Sequence, residues 1–245
     1  MENPVDKVDN FPLGQSLPNR GPVIGIFAKQ PVAGRVKTRL TPPLRPEEAC
    51  ALYRTALQET VARFSCGPAA PVLCCAGRRS WFACTFPGVP LLPQGRGNLG
   101  ARLVRATAAL FAAGGGPVAV AGADSPDLPL SLISAAFAAL SDAEAAVIPC
   151  QDGGYALLAL RRPAPALFAG IPWSTAEVLA ATQQRATELG LRLATIGAWD
   201  DVDDLPSLHR LLARSRSVQP HVMHRCICAA TRRLHAVDSP RGAGR

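Results

Sequence analysis

The sequence predicts an α/β protein in which one domain is built on a mostly parallel sheet. Three observations predict it. Strand-length apolar runs alternate with helix-periodic segments along the chain, as a sheet with right-handed helical crossovers requires. The first run, Val23 to Ala28, is apolar at nearly every position, as in a strand covered on both faces. The length of 245 residues, 48% of them apolar and 18% charged, suits one such domain with a core of its own.

The elements follow in order. Residues 1–21 are rich in Pro, Asn and Gly without periodicity and read as a loose arm. After the first strand comes a basic loop from Lys29 to Pro46. Ala49, Leu52, Tyr53, Ala56, Leu57, Val61 and Phe64 then recur at helical spacing. Val72 to Cys75 reads as a strand, and Leu99 to Leu110 as a helix stopped by consecutive glycines. Val118 to Ala121 is a third strand. Leu132 to Leu140 is helical, and 145–148 and 155–160 are strand-like. Ser174-Thr175-Ala176-Glu177 reads as a capping box opening a helix that runs to Gly190. Leu193 to Ile196 is a last strand and Leu205 to Leu212 a last helix. The expected domain covers 22–213, and 214–245 forms a basic tail.

Composition excludes some classes. No stretch approaches the roughly 18 apolar residues of a spanning helix, and the first residues lack the pattern of a signal peptide, so a cytoplasmic protein is expected. The net charge is +8, but the tail alone holds seven arginines and one acid. The remainder is nearly neutral, so nucleic acid is expected to bind, at most weakly, through the tail. Among eight cysteines, Cys74 and Cys75 are adjacent in a strand and should face opposite sides. Cys50 and Cys150 read as small buried hydrophobes. His221, His224, Cys226 and Cys228 gather soft ligands in the tail, at a spacing that matches no common zinc pattern.

In open parallel sheets, ligands bind beyond the carboxyl ends of the strands, and three of the loops there carry unusual chemistry. The first holds Lys29, Gly34, Arg35, Lys37 and Arg39. Its four cations suit phosphate oxygens and a glycine permits close approach, so a pyrophosphate is the natural guest. The rival reading is a basic surface loop. The spacing is not that of a P-loop. The second is Gly122 to Pro129, where Asp124 follows a strand of small residues and can hold a hard cation such as Mg2+ or Mn2+. The rival is an Asx turn. The third is Asp200-Asp201-Val202-Asp203-Asp204, four acids in five residues. These would repel one another unless a cation or a helix N-terminus compensates. Alternation puts Asp201 and Asp203 on one side, and Asp203 is the second expected metal ligand. The rival is a capped helix start with a solvated face.

Two further stretches matter. Gln94, Asn98 and Gly100 belong to a Gly-rich polar loop before a helix, as a nucleotide-contacting loop would be. Asp152 stands beside Gly153, Gly154 and Tyr155, where a carboxylate could take a proton from an acceptor hydroxyl. The rival there is a plain Asp-Gly hairpin turn.

Taken together, Phe27-x-Lys29-x-Pro31-x-x-Gly34-x-Val36-Lys37-Thr38-Arg39-Leu40, Gly122-x-Asp124-Ser125-Pro126-Asp127-Leu128, Asp152-Gly153-Gly154-Tyr155, Ile171-Pro172-Trp173-Ser174-Thr175 and Asp201-Val202-Asp203 occur in this order. The set resembles a bacterial family of GT-A-like proteins assigned provisionally as glycosyltransferases, some linked to arsenosugar biosynthesis. That family in turn is similar to the molybdenum-cofactor guanylyltransferase and the sugar-activating cytidylyltransferases. The resemblance covers roughly 22–212. It implies a GT-A, Rossmann-like three-layer α/β/α fold, phosphates on Lys37 and Arg39, and one metal between Asp124 and Asp203. Asp152 and Lys37 are the expected catalytic groups, and Gly153, Tyr155 and Trp173 the acceptor side. Asn98 stands where the family usually has aspartate, and Ser207 where a second late aspartate is common; the latter bears on helix capping.

The expected function is glycosyl transfer from a nucleoside-diphosphate sugar to an unidentified acceptor. The alternatives are a nucleotidylyltransferase that releases pyrophosphate and a non-catalytic nucleotide-binding protein.

Overall fold

The computed structural model describes residues 21–114 and 116–215. The first 20 residues and the His/Cys/Arg-rich tail, with its expected soft-ligand cluster, lie outside them. Among the described residues no helix is long and apolar enough to cross a membrane.

Among the described residues seven strands form one sheet: β1 (Val23–Lys29), β2 (Ala70–Ala76), β3 (Leu91–Pro93), β4 (Val118–Gly122), β5 (Ala145–Pro149), β6 (Tyr155–Leu160) and β7 (Leu193–Thr195), in the order β3-β2-β1-β4-β6-β5-β7. Strands β3, β2, β1 and β4 run parallel, as do β5 and β7. Strand β6 runs antiparallel to its neighbours β4 and β5. The turn at Asp152–Gly154 returns the chain directly beside β5, so β6 needs no crossover helix.

The described residues form six α-helices: α1 (Pro46–Ser65), α2 (Arg79–Thr85), α3 (Leu99–Gly114), α4 (Leu130–Ala138), α5 (Val178–Glu188) and α6 (Leu205–Ser215). Strand parity sorts them into layers. Ile24, Ile26 and Ala28 of β1 pack with Leu57 and Phe64 of α1, Phe82 of α2 and Ile133 of α4. Val23 turns the other way, toward Ala106 and Leu110 of α3, while Leu158 and Leu160 of β6 share a core with Ala186 of α5. Helix α6 lies outside, its Leu208 and Leu211 against Leu52 and Ala56 of α1. The result is the expected three-layer α/β/α sandwich. Cys74 and Cys75 fall into opposite cores, and the six described cysteines are free, Cys66 and Cys84 being exposed.

Three differences from the sequence reading have local causes. Helix α2 and strand β3 are too short to show a period. Helix α5 starts at Val178, with no side-chain cap, instead of at a capping box. Ser174 takes a left-handed φ of 69°, the Thr175 hydroxyl oxygen accepts the Glu177 N–H at 3.2 Å, and the Leu179 N–H goes to the Gly153 carbonyl at 2.8 Å. The β5–β6 turn therefore holds this segment. Finally, α6 runs to Ser215, so Arg214 belongs to the last helix rather than the tail.

Candidate functional site

The chain leaves β1 toward β2 on one side and returns through β4 on the other. Between such strands a crevice opens at the carboxyl ends. A cleft of about 620 Å³ lies there, lined by Phe27 to Lys29 of β1, Val120 to Gly122 of β4 and Tyr155 at the start of β6.

Lys29 at the end of β1 and Arg35, Lys37 and Arg39 from the β1–α1 loop all line this cleft. Gly34 does not; it makes the turn, with φ of 74°. Lys29 and Arg35 form no ion pair with a described residue. The Lys29 N–H donates to the Tyr53 hydroxyl at 2.9 Å, which anchors the loop to α1.

The acids enter from two loops that are physically joined. The Val202 N–H donates to the Asp124 carbonyl at 2.9 Å. Asp127 accepts from the Trp199 indole at 3.1 Å and from Arg214 at 2.8 Å, and Arg63 of α1 donates to the Pro126 carbonyl at 3.0 Å. The four-acid run divides its labour along the extended segment. Asp200 is buried and paired with Arg210 and Arg214. Asp204 caps α6, its Oδ1 accepting the Ser207 N–H at 2.9 Å and the Ser207 hydroxyl at 2.6 Å. Asp201 and Asp203 face the cleft together with Asp124.

Lys37 reaches both acidic loops. Its ammonium lies 2.5 Å from Asp124 Oδ1 and 3.6 Å from Asp203 Oδ1, while Arg39 meets Asp203 Oδ2 at 2.6 Å. Asp201 makes no ion pair with a described residue. Burial, then the carboxylates of Asp152 and Asp124, push its pKa up to about 6 against the pull of Lys37.

Gln94 and Asn98 line the opposite wall, each with structural bonds. The buried Gln94 amide donates to the Cys74 carbonyl at 2.7 Å and the Ala28 carbonyl at 3.3 Å. Asn98 Oδ1 accepts the Ala101 N–H at 2.9 Å and caps α3. Gly100 borders a neighbouring groove; a Cβ there would strike the Trp173 indole nitrogen at 2.5 Å. Trp173 lines both spaces and stacks on Phe168, ring centroids 6.5 Å apart. The buried Tyr155 hydroxyl has no hydrogen-bond partner of good geometry among the described residues; Thr182 lies beside it and donates its own proton to the Val178 carbonyl at 2.7 Å.

Asp152 and Gly153 are not among the residues lining the cleft. Asp152 Oδ1 accepts the Gly154 N–H at 2.8 Å within the hairpin turn. Ligand atoms of Asp152, Cys150 and Asp201 lie within 4.8 Å of one another, an arrangement that could take a cation.

Tyr53, whose spacing assigns it to a helix, and Arg102, which ends the Gly-rich polar stretch begun by Gln94, also line the cleft. Tyr53 carries a helical-period signal that looks like core and is indeed buried; its hydroxyl meets the Lys29 N–H and its ring centroid lies 6.0 Å from the Lys37 ammonium. Arg102 lies in the Gly-rich motif, and its pairing with the Gly97 carbonyl at 2.9 Å had no sequence signal.

Residues 60–175 match a family described as "Uncharacterized protein conserved in bacteria (DUF2064)". No curated protein matches the chain. Among solved structures, a provisional nucleotide-diphospho-sugar transferase from Desulfovibrio desulfuricans G20 is 26% identical with a TM-score of 0.82, covering 89% of this chain and 98% of that one. CMP:2-keto-3-deoxy-manno-octonic acid synthetase complexed with CTP is 15% identical with a TM-score of 0.52, covering 80% and 99%. Rv0371C from Mycobacterium tuberculosis H37Rv in complex with manganese is 18% identical with a TM-score of 0.50, covering 80% and 100%. The fold is that of the nucleotide-diphospho-sugar transferases.

Proposed function

We propose that this chain, with its DUF2064 match and nucleotide-diphospho-sugar transferase fold, is a transferase that binds a nucleoside-diphosphate sugar with one divalent metal ion and passes the glycosyl group to an acceptor. One observation carries the reading. Four cations of the β1 end and the loop after it and three carboxylates from two distant loops line a single cleft, a combination that suits a pyrophosphate and its metal.

The donor set fits a hard cation. Asp124 Oδ1 and Asp203 Oδ1 already face one positive charge, the Lys37 ammonium, and carboxylate oxygens suit Mg2+ or Mn2+. The fold relative in complex with manganese is in keeping with this. Held by these two residues, the ion would offset the diphosphate charge. Lys29 and Arg35, uncommitted to acids, bind the phosphate oxygens. Lys37 and Arg39 add positive charge where the leaving group gains negative charge, so the loop stabilises departure electrostatically. Trp173 and Tyr155 form the acceptor wall. Asp152, bound in the β5–β6 turn and outside the cleft lining, lacks the direct reach that a general base needs.

A second reading, nucleotidyl transfer, draws on the fold relative in complex with CTP and on a cation count that also suits a triphosphate. Incubation with nucleoside-diphosphate sugars or with nucleoside triphosphates plus sugar phosphates separates the two: glycosyl transfer releases nucleoside diphosphate, nucleotidyl transfer pyrophosphate. Asp124→Ala should abolish metal-dependent nucleotide binding in a thermal-shift panel. Unchanged binding would overturn the shared core of both readings.

A further inference from the structure

Lys37 occupies an unusual position for a phosphate-binding lysine. Its side chain is only 6% exposed, and its ammonium lies between the Asp124 and Asp203 oxygens that face the same point. Arg39, which also pairs with Asp203, is 69% exposed. The Lys37 backbone is held at φ 50° and ψ 40°, a left-handed conformation that a non-glycine residue adopts at a cost.

We propose that Lys37 is an internal counter-cation: it neutralises the Asp124–Asp203 pair in the nucleotide-free protein and leaves for the phosphates when a divalent ion arrives. The inference rests on the metal-and-nucleotide reading above. An ammonium and a divalent ion cannot share two carboxylates at these distances without strong mutual repulsion, so one displaces the other. Lysine suits the exchange. Its charge is compact and its four-carbon stem is flexible, whereas the arginine fork prefers a fixed bidentate seat. The released ammonium remains in a cleft that Lys29 and Arg35 also line, where phosphate oxygens give it new partners. Metal and nucleotide therefore help each other. The ion alone must evict Lys37, and the nucleotide rewards the eviction, which is a reciprocal coupling between the two ligands.

The test uses the full chain and Mn2+ alone, followed by the free-ion electron paramagnetic resonance signal. Lys37→Met should bind Mn2+ more tightly than the wild type by about tenfold or more, the scale on which one nearby opposite charge shifts a carboxylate's proton affinity. Equal or weaker Mn2+ binding by the variant overturns the proposal. A second measurement needs no variant. Amine acylation read by mass spectrometry should show Lys37 protected in the metal-free wild type and more reactive with saturating Mn2+. Unchanged labelling on metal binding overturns the exchange while leaving the metal site intact. If neither protein binds Mn2+, with or without nucleotide, the metal reading fails and the exchange fails with it.

Discussion

The Val202 N–H donates to the Asp124 carbonyl at 2.9 Å. That bond joins two acidic loops far apart in the chain, so their carboxylates share one cleft. Val202 itself is buried among Leu40, Leu44 and Leu208, which holds Asp201 and Asp203 on the opposite, cleft-facing side. The site's geometry thus depends on packing between α1 and α6.

Arg35→Ala should weaken binding of a nucleoside diphosphate by about 1.5–3 kcal/mol, or roughly ten- to hundredfold. Arg35 lines the cleft and makes no ion pair with a described residue, so its removal leaves no acid unpaired and folding should be unchanged. The loss should shrink at high salt, because the contact is exposed. Titration at two ionic strengths checks both parts.

Asp201 sets a pH dependence. Its folded pKa is raised to about 6, chiefly by burial and then by Asp152, above the ordinary value near 3.9. The folded state therefore holds the proton more tightly, and stability falls as pH rises from about 4 through about 6. Asp201→Asn should flatten that window and stabilise the metal-free protein at pH 7 by roughly 1–2 kcal/mol, after allowing for solvent screening of a part-exposed group. Urea melts at several pH values measure it. A variant that keeps the wild-type slope counts against the assignment.

Gly153→Ala should destabilise the fold by about 2–3 kcal/mol. The residue has φ of 84°, and an added Cβ would overlap the Ala176 carbonyl. Since the Leu179 N–H bonds to the Gly153 carbonyl, the start of α5 should loosen first. Hydrogen exchange at Leu179 is the local readout and thermal melting the global one.

Gly100→Ala should move Trp173. A Cβ would lie 2.5 Å from its indole nitrogen and 3.2 Å from the Phe168 carbonyl. The expected outcome is altered tryptophan fluorescence and weaker acceptor use. The nucleotide affinity should change little, because Gly100 borders only the neighbouring groove.

Much of this was legible in the residues. Runs such as Val118–Gly122 and the period of α1 announce their elements, and an alternating acidic segment announces that Asp201 and Asp203 share a side. Other features were not. Helix α2 and strand β3 are shorter than the windows in which a period appears. The α5 cap went to a tertiary bond instead, because the Asp152–Gly154 turn packs against Ala176. Asp152 can be read as a base or as a turn residue; it makes the turn bond, and its nearness to Asp201 comes from contacts that no spacing encodes.

By itself the sequence determined an α/β class with a mostly parallel sheet and which loops carry charge, because hydrophobic periodicity and local chain direction are properties of neighbouring residues. Only the tertiary structure decided which charges meet. Lys37 between Asp124 and Asp203, Arg214 on Asp127 and Tyr53 under Lys29 are contacts between remote segments. They are set by how helices pack on a twisted sheet, and that packing depends on the whole chain at once.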